Sequence, residues 1–533
     1  MESRWTPGRC SRAGVVGAGL LLIALVPVVI VGAEPSPSPV LTVRLTHPEV
    51  QGGRLIDLFK GSRAPHPAAA LAAWKHATKG RSGLGKRLEA LIATINPQMV
   101  RESRLLDGAE FRLALLPGTG QPRWRVVVPH DDGSIAALVT ALALTDGATL
   151  EPIEGFPVFR LGPPGAPTAS SRPGLLAIAS DLEELTPAIA TVPAGDEAQA
   201  QADSGMRLRL VPEGLRAARS LTVRRAFEAL DAFGCRDVEG RLAFADDDLS
   251  LELDTRLDDA PRVRNALDPS WLDAVTGPGV VAAAALVVDL DGKGLDAAFA
   301  LADRVEKADP ARAGVAPLRT RLNLVATAAR VLPEADLWPH LRGLSGGVFV
   351  GADGRVSGAI VGLHASGPDA SSKIATVVLP RLAATYLGPK RQPREAIAEL
   401  DGVIPLGTIA GRPLGATVRA SSVWVGWGDR ALADALEASA HPERSAVRAL
   451  VQDVGAHPPQ RAGVFWPGRS PGFAPPGSPL AGALTDAPPV VWLGHTDGPA
   501  ARDVVRWTGL RGVIRRWLDA LPLEPPPDRA SPG

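Results

Sequence analysis

At 533 residues the chain is too long for one ordinary hydrophobic core and implies two or three domains, at roughly 100 to 200 residues each. Lys plus Arg and Asp plus Glu balance at 57 each, so no global field recruits nucleic acid or an acidic polymer by charge alone. The heavy use of Ala, Gly, Pro and Arg reads as coding bias and carries no functional signal.

Arg4, Arg9 and Arg12 precede an apolar run over residues 13–33. Basic residues before such a run hold that end in the cytoplasm and send the remainder across the membrane. About 20 apolar residues span a bilayer, so the run is long enough for a permanent anchor. Pro27 splits it, however, and Val31-Gly32-Ala33 ahead of Glu34 has the small residues of a signal cleavage site. Both readings place the bulk of the chain outside the cytoplasm. Cys10 falls on the cytoplasmic side and leaves Cys235 without a disulfide partner. No cysteine sits just after the run to accept lipid.

Residues 34–39 (EPSPSP) form an extended Pro/Ser spacer. LTVRL then alternates like a strand, HPEVQGG turns and RLIDLFKG begins a helix. Residues 68–95 have a helical period, ended by Asn96-Pro97. Strands are expected over 106–116 and 123–129, then a helix over 135–144, a short strand over 156–161 and a loop over 162–173. The strand 175–179 runs into Ser180-Asp181, which caps the helix LEELTPAI. Residues 206–218 repeat strand, turn, helix; a helix over 222–233 follows, then the hairpin RLAFADDDLSLELDT with an acidic turn at 246–248.

At 280–306 an apolar run (VVAAAALVV), an Asp/Gly turn (DLDGKG) and an amphipathic run (LDAAFALADRVE) make another such unit. A hairpin over GADGR pairs 348–350 with 356–364, and a helix spans 372–387. Short strands follow over 403–418, then a strand 423–427 feeding a helix 431–440. Residues 457–489 read as Pro/Gly-rich surface loops, 490–494 as a strand, 500–521 as a helix and the end as disordered.

The order from 40 to 190 recurs from 280 to 440, which predicts an internal repeat. The expected division is an anchor or signal at 1–33, a linker at 34–39, a first repeat at 40–265, a second at 266–445 and a Pro/Gly-rich C-terminal segment at 446–533. Hairpins packed with helices predict an α+β fold of mainly antiparallel sheet. With its export segment, LAIASDLEELTPAI, LAFADDDLSLELDT and the repeated plan, the region 40–440 resembles a bacterial family of exported proteins known only as a domain of unknown function. The resemblance implies an envelope location and assigns no functional residue.

Asp289 and Asp291 have the spacing of the nucleophile and general acid in phosphohydrolases of the haloacid dehalogenase type, at a strand end where Mg2+ shares their oxygens. Ser366 and Lys373 stand in for the phosphate-binding pair, and Gly428, Asp429 and Asp434 for the closing acidic motif. Against this, Lys293 replaces a small or β-branched residue, and hairpins do not make the parallel sheet that chemistry uses. The equivalent turns LTHPEV and LVPEGL lack the Asp-x-Asp pair, which makes the carboxylates of the third solvated turn residues.

Gly292, Gly294 and Ala297 spell a dinucleotide fingerprint with no acidic residue closing a second strand. GRSGLGK at 80–86 lacks the hydroxyl of a phosphate loop, and Arg87 follows it. Gly343, Ser345 and Gly347 spell a nucleophile elbow in the wrong order of elements and read as a turn. His130, Asp131 and Asp132 read as a polar turn, and the histidines show no zinc spacing. Trp507, Leu510, Ile514, Trp517, Leu518 and Leu521 share one helical face opposite Arg502, Arg511, Arg515 and Arg516, which suits docking on the protein itself or on anionic lipid. The reading is an exported envelope protein acting as a non-catalytic binding or structural module. It has no cofactor, metal or nucleic-acid partner, a membrane contact through its N-terminal segment and an envelope protein or lipid as partner. The alternative is a magnesium-dependent phosphohydrolase built on Asp289, Asp291, Lys373 and Asp429.

Overall fold

The computed structural model describes residues 39–64, 107–116, 119, 121–129, 148–161, 165–190, 205–218, 221–232, 234–245, 247–258, 263, 265–277, 279–288, 292–307, 315–351, 353, 355–387, 402–428, 431–440, 458–470 and 477–521. The expected helices over 68–95 and 135–144 lie outside them, as do residues 1–38. The described strands are β1 (Leu41–Thr46), β2 (Glu110–Leu115), β3 (Pro122–Pro129), β4 (Ala148–Ile153), β5 (Phe156–Arg160), β6 (Thr168–Arg172), β7 (Leu175–Ala179), β8 (Gly205–Leu210), β9 (Cys235–Ala245) and β10 (Asp248–Leu257). They continue as β11 (Val280–Val287), β12 (Leu341–Val350), β13 (Val356–Ala365), β14 (Ile404–Ile409), β15 (Arg412–Arg419), β16 (Ser422–Trp427), β17 (Arg461–Phe465), β18 (Val490–Asp497) and β19 (Ala500–Trp507). The helices are α1 (Pro48–Asp57), α2 (Leu182–Ala190), α3 (Leu221–Ala232), α4 (Ser270–Asp273), α5 (Gly292–Lys307), α6 (Leu318–Ala328), α7 (Pro333–Asp336), α8 (Pro368–Lys373), α9 (Leu379–Leu387), α10 (Ala431–Ala440), α11 (Pro479–Leu484) and α12 (Leu510–Ala520).

All nineteen strands join one sheet, and each pairing between them is antiparallel, in agreement with the α+β expectation. From one edge to the other the order is β4-β5-β6-β7-β3-β2-β1-β8-β9-β10-β19-β18-β17-β11-β12-β13-β16-β15-β14. The last strands of the two halves, β10 and β19, meet at the centre in register from Leu249↔Trp507 to Arg256↔Ala500.

Two expectations need correction. The segment 457–489 is not surface loop throughout: β17 lies inside the sheet between β11 and β18, with Ala462 and Val464 buried. Its small residues, Arg-Ala-Gly-Val-Phe, disguise a buried strand among glycines and prolines. Residues 500–521 are not one helix. ARDVVRW, with strand-favouring Val504, Val505 and Trp507, forms β19; Gly509, at φ 68, turns the chain, and α12 begins at Leu510. Trp507 therefore belongs to the sheet, while Leu518 and Leu521 of the terminal segment pack on Ala64 beside Phe59 and Trp517.

Directly opposed residues of antiparallel strands share a face, so the register sorts the side chains into two layers. On one face, here the front, α2 covers β3 and β7 with Val127, Ala177, Ala179 and Leu185. At the other end α4 and α10 cover β11–β13 and β16, burying Leu272, Val275, Ile360, Trp424 and Leu432. Each fully buried Leu or Ile contributes about 1.5–3 kcal/mol relative to exposure. The back face of the central strands is apolar, with Leu41, Leu208 and Leu251 buried. Between the two helical caps, the front face of β1, β8, β9, β10 and β19 carries charged side chains in place of apolar ones.

Candidate functional site: a charged groove at the centre of the sheet

A cavity of about 900 Å3 lies on this front face where β10 meets β19. Alternation along LSLELDTRL puts Glu252, Asp254 and Arg256 forward, and the antiparallel register sets Val504, Arg502 and Ala500 opposite them. One cross-strand row reads Glu239, Asp254, Arg502, His495; the next reads Arg241, Glu252, Val504, Leu493. Carboxylates thus predominate on the β9–β10 bank, with Arg241 and Arg256 among them, and Arg502 and Arg506 stand on the β18–β19 bank with Asp497. Arg502 binds Glu252 at 3.2 Å and lies 3.9 Å from Asp254, Arg506 lies 3.5 Å from Asp248, and Arg209 holds Asp237 at 2.6 Å. The Asp237 carboxylate, by hydrogen bond and charge, raises the Arg209 guanidinium above its usual range. Such exposed pairs are each worth about 1 kcal/mol or less. The groove is therefore held open by alternating charge more than locked shut, and it suits a polar ligand carrying both signs.

The groove offers no nucleophile with a base. Ser250 lies two cross-strand rows from the row that holds His495, about 13 Å along the strand. Among the described residues, no three His, Cys, Asp or Glu side chains converge to hold a metal ion.

A Ser–His contact lies elsewhere, in the core under α4. Ser345 Oγ is 2.8 Å from His364 Nε2, and His364 Nδ1 is 2.8 Å from Ser422 Oγ. The ring stacks on Trp271 at 4.4 Å and meets the edge of Trp424 at 5.1 Å. Burial pushes the His364 pKa down to about 3, so the imidazole is neutral and each hydroxyl can complement its tautomer. Ser345 stands in mid-strand and is 5% exposed, and the second ring nitrogen meets a hydroxyl instead of a carboxylate. Gly343-x-Ser345-x-Gly347 is thus strand, not the turn its glycines suggest. A Cβ on Gly343 would come within 1.9 Å of the Trp271 ring, and one on Gly347 within 2.6 Å of the Val275 carbonyl oxygen. The glycines admit α4; they do not aim a nucleophile.

Of the residues proposed for phosphoryl chemistry, Asp289, Asp291 and Asp429 lie outside the described residues. Lys373, on α8, pairs with Asp336 of α7 at 2.8 Å. That ammonium and the Leu332 amide hold the Asp336 carboxyl below its usual range. The Ser366 backbone amide bonds the His340 carbonyl, and Asp434 lies on α10. β11, which leads toward Asp289, pairs antiparallel on both sides. Cys235 is buried and unoxidised, and burial pushes its thiol up to about 11.

Sequence reasoning placed Glu252 and Asp254 correctly on a hairpin and missed Arg502 and Arg506, which it put on a helix. ARDVVRW carries no clean alternation, since Arg502 and Arg506 fall on one face of the strand and Asp503 on the other, and the strand-favouring signal there is Val504, Val505 and Trp507.

No protein-family model and no curated protein matches the chain. Distant structural similarity links it to the Treponema protein TP0453. Crystal forms IV and I of that protein match over 42% and 43% of this chain and 81% of theirs, with TM-scores of 0.23 and 0.24 and 8% identity. Crystal form III matches over 43% and 82%, with a TM-score of 0.23 and 8% identity. A likeness of that extent carries no inference about activity or location.

Among the described residues, no helix is long and apolar enough to cross a membrane, and the apolar run at 13–33 lies outside them.

Proposed function

We propose that the chain is an exported protein of the bacterial envelope, anchored by residues 13–33 or released by cleavage after Ala33, and that it works as a binding module without catalysis. Its membership of the exported family of unknown function is part of the same proposal. The observation that carries the binding role is the central groove, open on the front face and lined by carboxylates and guanidinium groups together. A polar ligand of mixed charge, such as a short zwitterionic peptide, complements it. The export reading rests on Arg4, Arg9 and Arg12 ahead of the apolar run.

We also propose that the sheet arose by internal duplication. Outward from the centre the order is β10-β9-β8-β1-β2-β3-β7-β6-β5 on one side and β19-β18-β17-β11-β12-β13-β16-β15-β14 on the other, the same succession of connections. In this arrangement the repeats are 40–265 and 266–445, and the second is completed by the strands of 446–533. The phosphohydrolase alternative is not favoured by a strand whose neighbours are both antiparallel.

The location is tested by adding protease to intact spheroplasts of cells making the tagged chain. Digestion without lysis is expected, and full protection defeats the export reading. The groove is tested by thermal-shift titration with zwitterionic di- and tripeptides, comparing the natural chain with Arg502→Glu. A peptide-induced rise in melting temperature should disappear in the variant, and an unchanged rise would place binding elsewhere.

A further inference from the structure

The front face of β11, β12 and β13 lies under α4; their back face is apolar and open at its centre. Register places Ala284, Gly346 and Val361 side by side on it, with Leu286 opposite Leu344 to one side of that row and Ala282 opposite Val348 to the other. Leu286, Val348 and Val361 are 42%, 38% and 43% exposed. Among the described residues, none of these three joins a buried cluster. Gly346 reports the space above the sheet: an added Cβ there meets only the Ile360 carbonyl oxygen of the neighbouring strand, at 3.5 Å. Gly343 and Gly347, on the front of the same strand, are pressed against Trp271 and Val275. Next to this floor the same back face is closed. Ile374 and Ala375, between α8 and α9, bury Val423, with Leu363 and Val425 packed around them. Beside Leu286, Arg461 is held by Asp503 and Thr496, and Arg342, two residues from Leu344, is likewise engaged. The floor therefore presents no charge of its own.

We infer that this floor seats one acyl tail of a single glycerolipid, laid along the strands. Three strands and three rows give it an area of roughly 300 Å2 from the strand and residue spacings. A stable protein interface takes about 800 Å2 from each partner, so the floor is too small for a second copy of this chain. The helical stretch beside it also fills the layer, about 10 Å deep, into which a second sheet or a flat bilayer has to come. A peptide is a poor occupant. β11, β12 and β13 are hydrogen-bonded on both sides, and apolar side chains leave a peptide's N–H and C=O groups desolvated without partners. Hydrocarbon makes no such demand, and its burial is favourable in proportion to the area covered. From Leu344 to Val348 the floor runs about 14 Å along the strand. The tails of one bilayer leaflet are about 15 Å long. A free fatty acid would bring its carboxylate to the end of the floor, where Arg461 and Arg342 are already engaged. A glycerolipid carries its polar head on a backbone that reaches water. The floor lies on the opposite face from the groove and does not depend on the reading given to the groove above.

Cells making the tagged full-length chain are grown with a fatty acid that carries a diazirine in its tail, which they build into their lipids. After irradiation the chain is purified and digested, and lipid adducts are located by mass spectrometry. Adducts of glycerolipid mass are expected on the peptides of β11, β12 and β13. Val361→Glu should lower their yield per chain severalfold, and Val348→Glu/Val361→Glu at least tenfold. Leu324 of α6, 73% exposed, is the comparison for general contact with hydrocarbon. Adducts as frequent there as on the floor would show a bilayer resting on the protein and overturn the assignment. Melting temperatures show whether each variant is folded, and if the double variant is not, Val361→Glu alone decides the matter. Undiminished adducts in a folded variant overturn the assignment, as do adducts confined to residues 13–33 or of free fatty-acid mass. A natural chain that sediments as a dimer, is broken by Val361→Glu and carries no lipid adduct on the floor would give this face to a second copy instead.

Discussion

His364 shows how a catalytic pair and a structural pin can share the same distances. Its two hydroxyl partners satisfy both ring nitrogens, and two tryptophans exclude the water that would stabilise a charge. The folded-state pKa of about 3 lies below the usual 6.5, so between those values the unfolded chain binds a proton that the folded chain refuses. Stability should therefore fall as pH drops from 6.5, by up to about 1.4 kcal/mol per unit from this residue. Other groups titrate in the same window, so the clean measurement is the difference in denaturation midpoint between the natural chain and His364→Gln at several pH values. The gap should narrow as acid is added; a gap independent of pH would show that the ring carries charge in the fold. The string Gly-x-Ser-x-Gly was legible at this site, but its cause was not. The demand for glycine comes from Trp271, on a helix far off in sequence, and no local pattern announces a ring that arrives from elsewhere.

Among the elements, β1 and the β9–β10 hairpin, which alternate at period 2, and β16, an apolar run, stand where the pattern puts them. The failures share a physical origin. β17 and β19 lack a clean alternation of polar and apolar residues, and their strand character comes from neighbours on both sides that supply the hydrogen bonds. An open sheet of this width also has to prevent its ends from recruiting further strands. Both outermost described strands contain a proline and a register shift, Pro152 with the shift between Leu150 and Ile153 on β4, and Pro405 with the shift between Pro405 and Gly407 on β14. Each proline removes a backbone donor, and each irregularity bends the edge away from a flat template. Replacing Pro405 by Thr should leave the melting temperature within a few degrees and increase self-association in analytical ultracentrifugation. A sedimentation profile like that of the natural chain would mean that the proline does not guard this edge.

For the whole molecule, the two halves join through an eight-residue ladder, the ion pairs of Arg502, Arg506 and Arg511 across it, and the packing of Leu518 and Leu521 on Ala64. The Gly509 amide bonds Asp248, and Arg63 donates its amide to Asp519. A protease site placed between residues 258 and 263 should therefore yield two pieces that co-elute by size exclusion under native conditions and separate in denaturant. Pieces that part without denaturant would show that the ladder does not hold the halves. The pattern of strands and helices read from the sequence leads to the expectation of two similar halves, which stands as a proposal. It could not reveal that their last strands pair, because that contact joins segments about 250 residues apart and leaves no periodicity in either. The same separation sets a timetable. Ribosomes extend a chain at about 5–20 residues per second, so β10 waits on the order of tens of seconds before β19 exists to cover it. During synthesis the first half has an unfinished border, and the carboxylates of Glu252 and Asp254 keep that waiting strand soluble until its partner arrives.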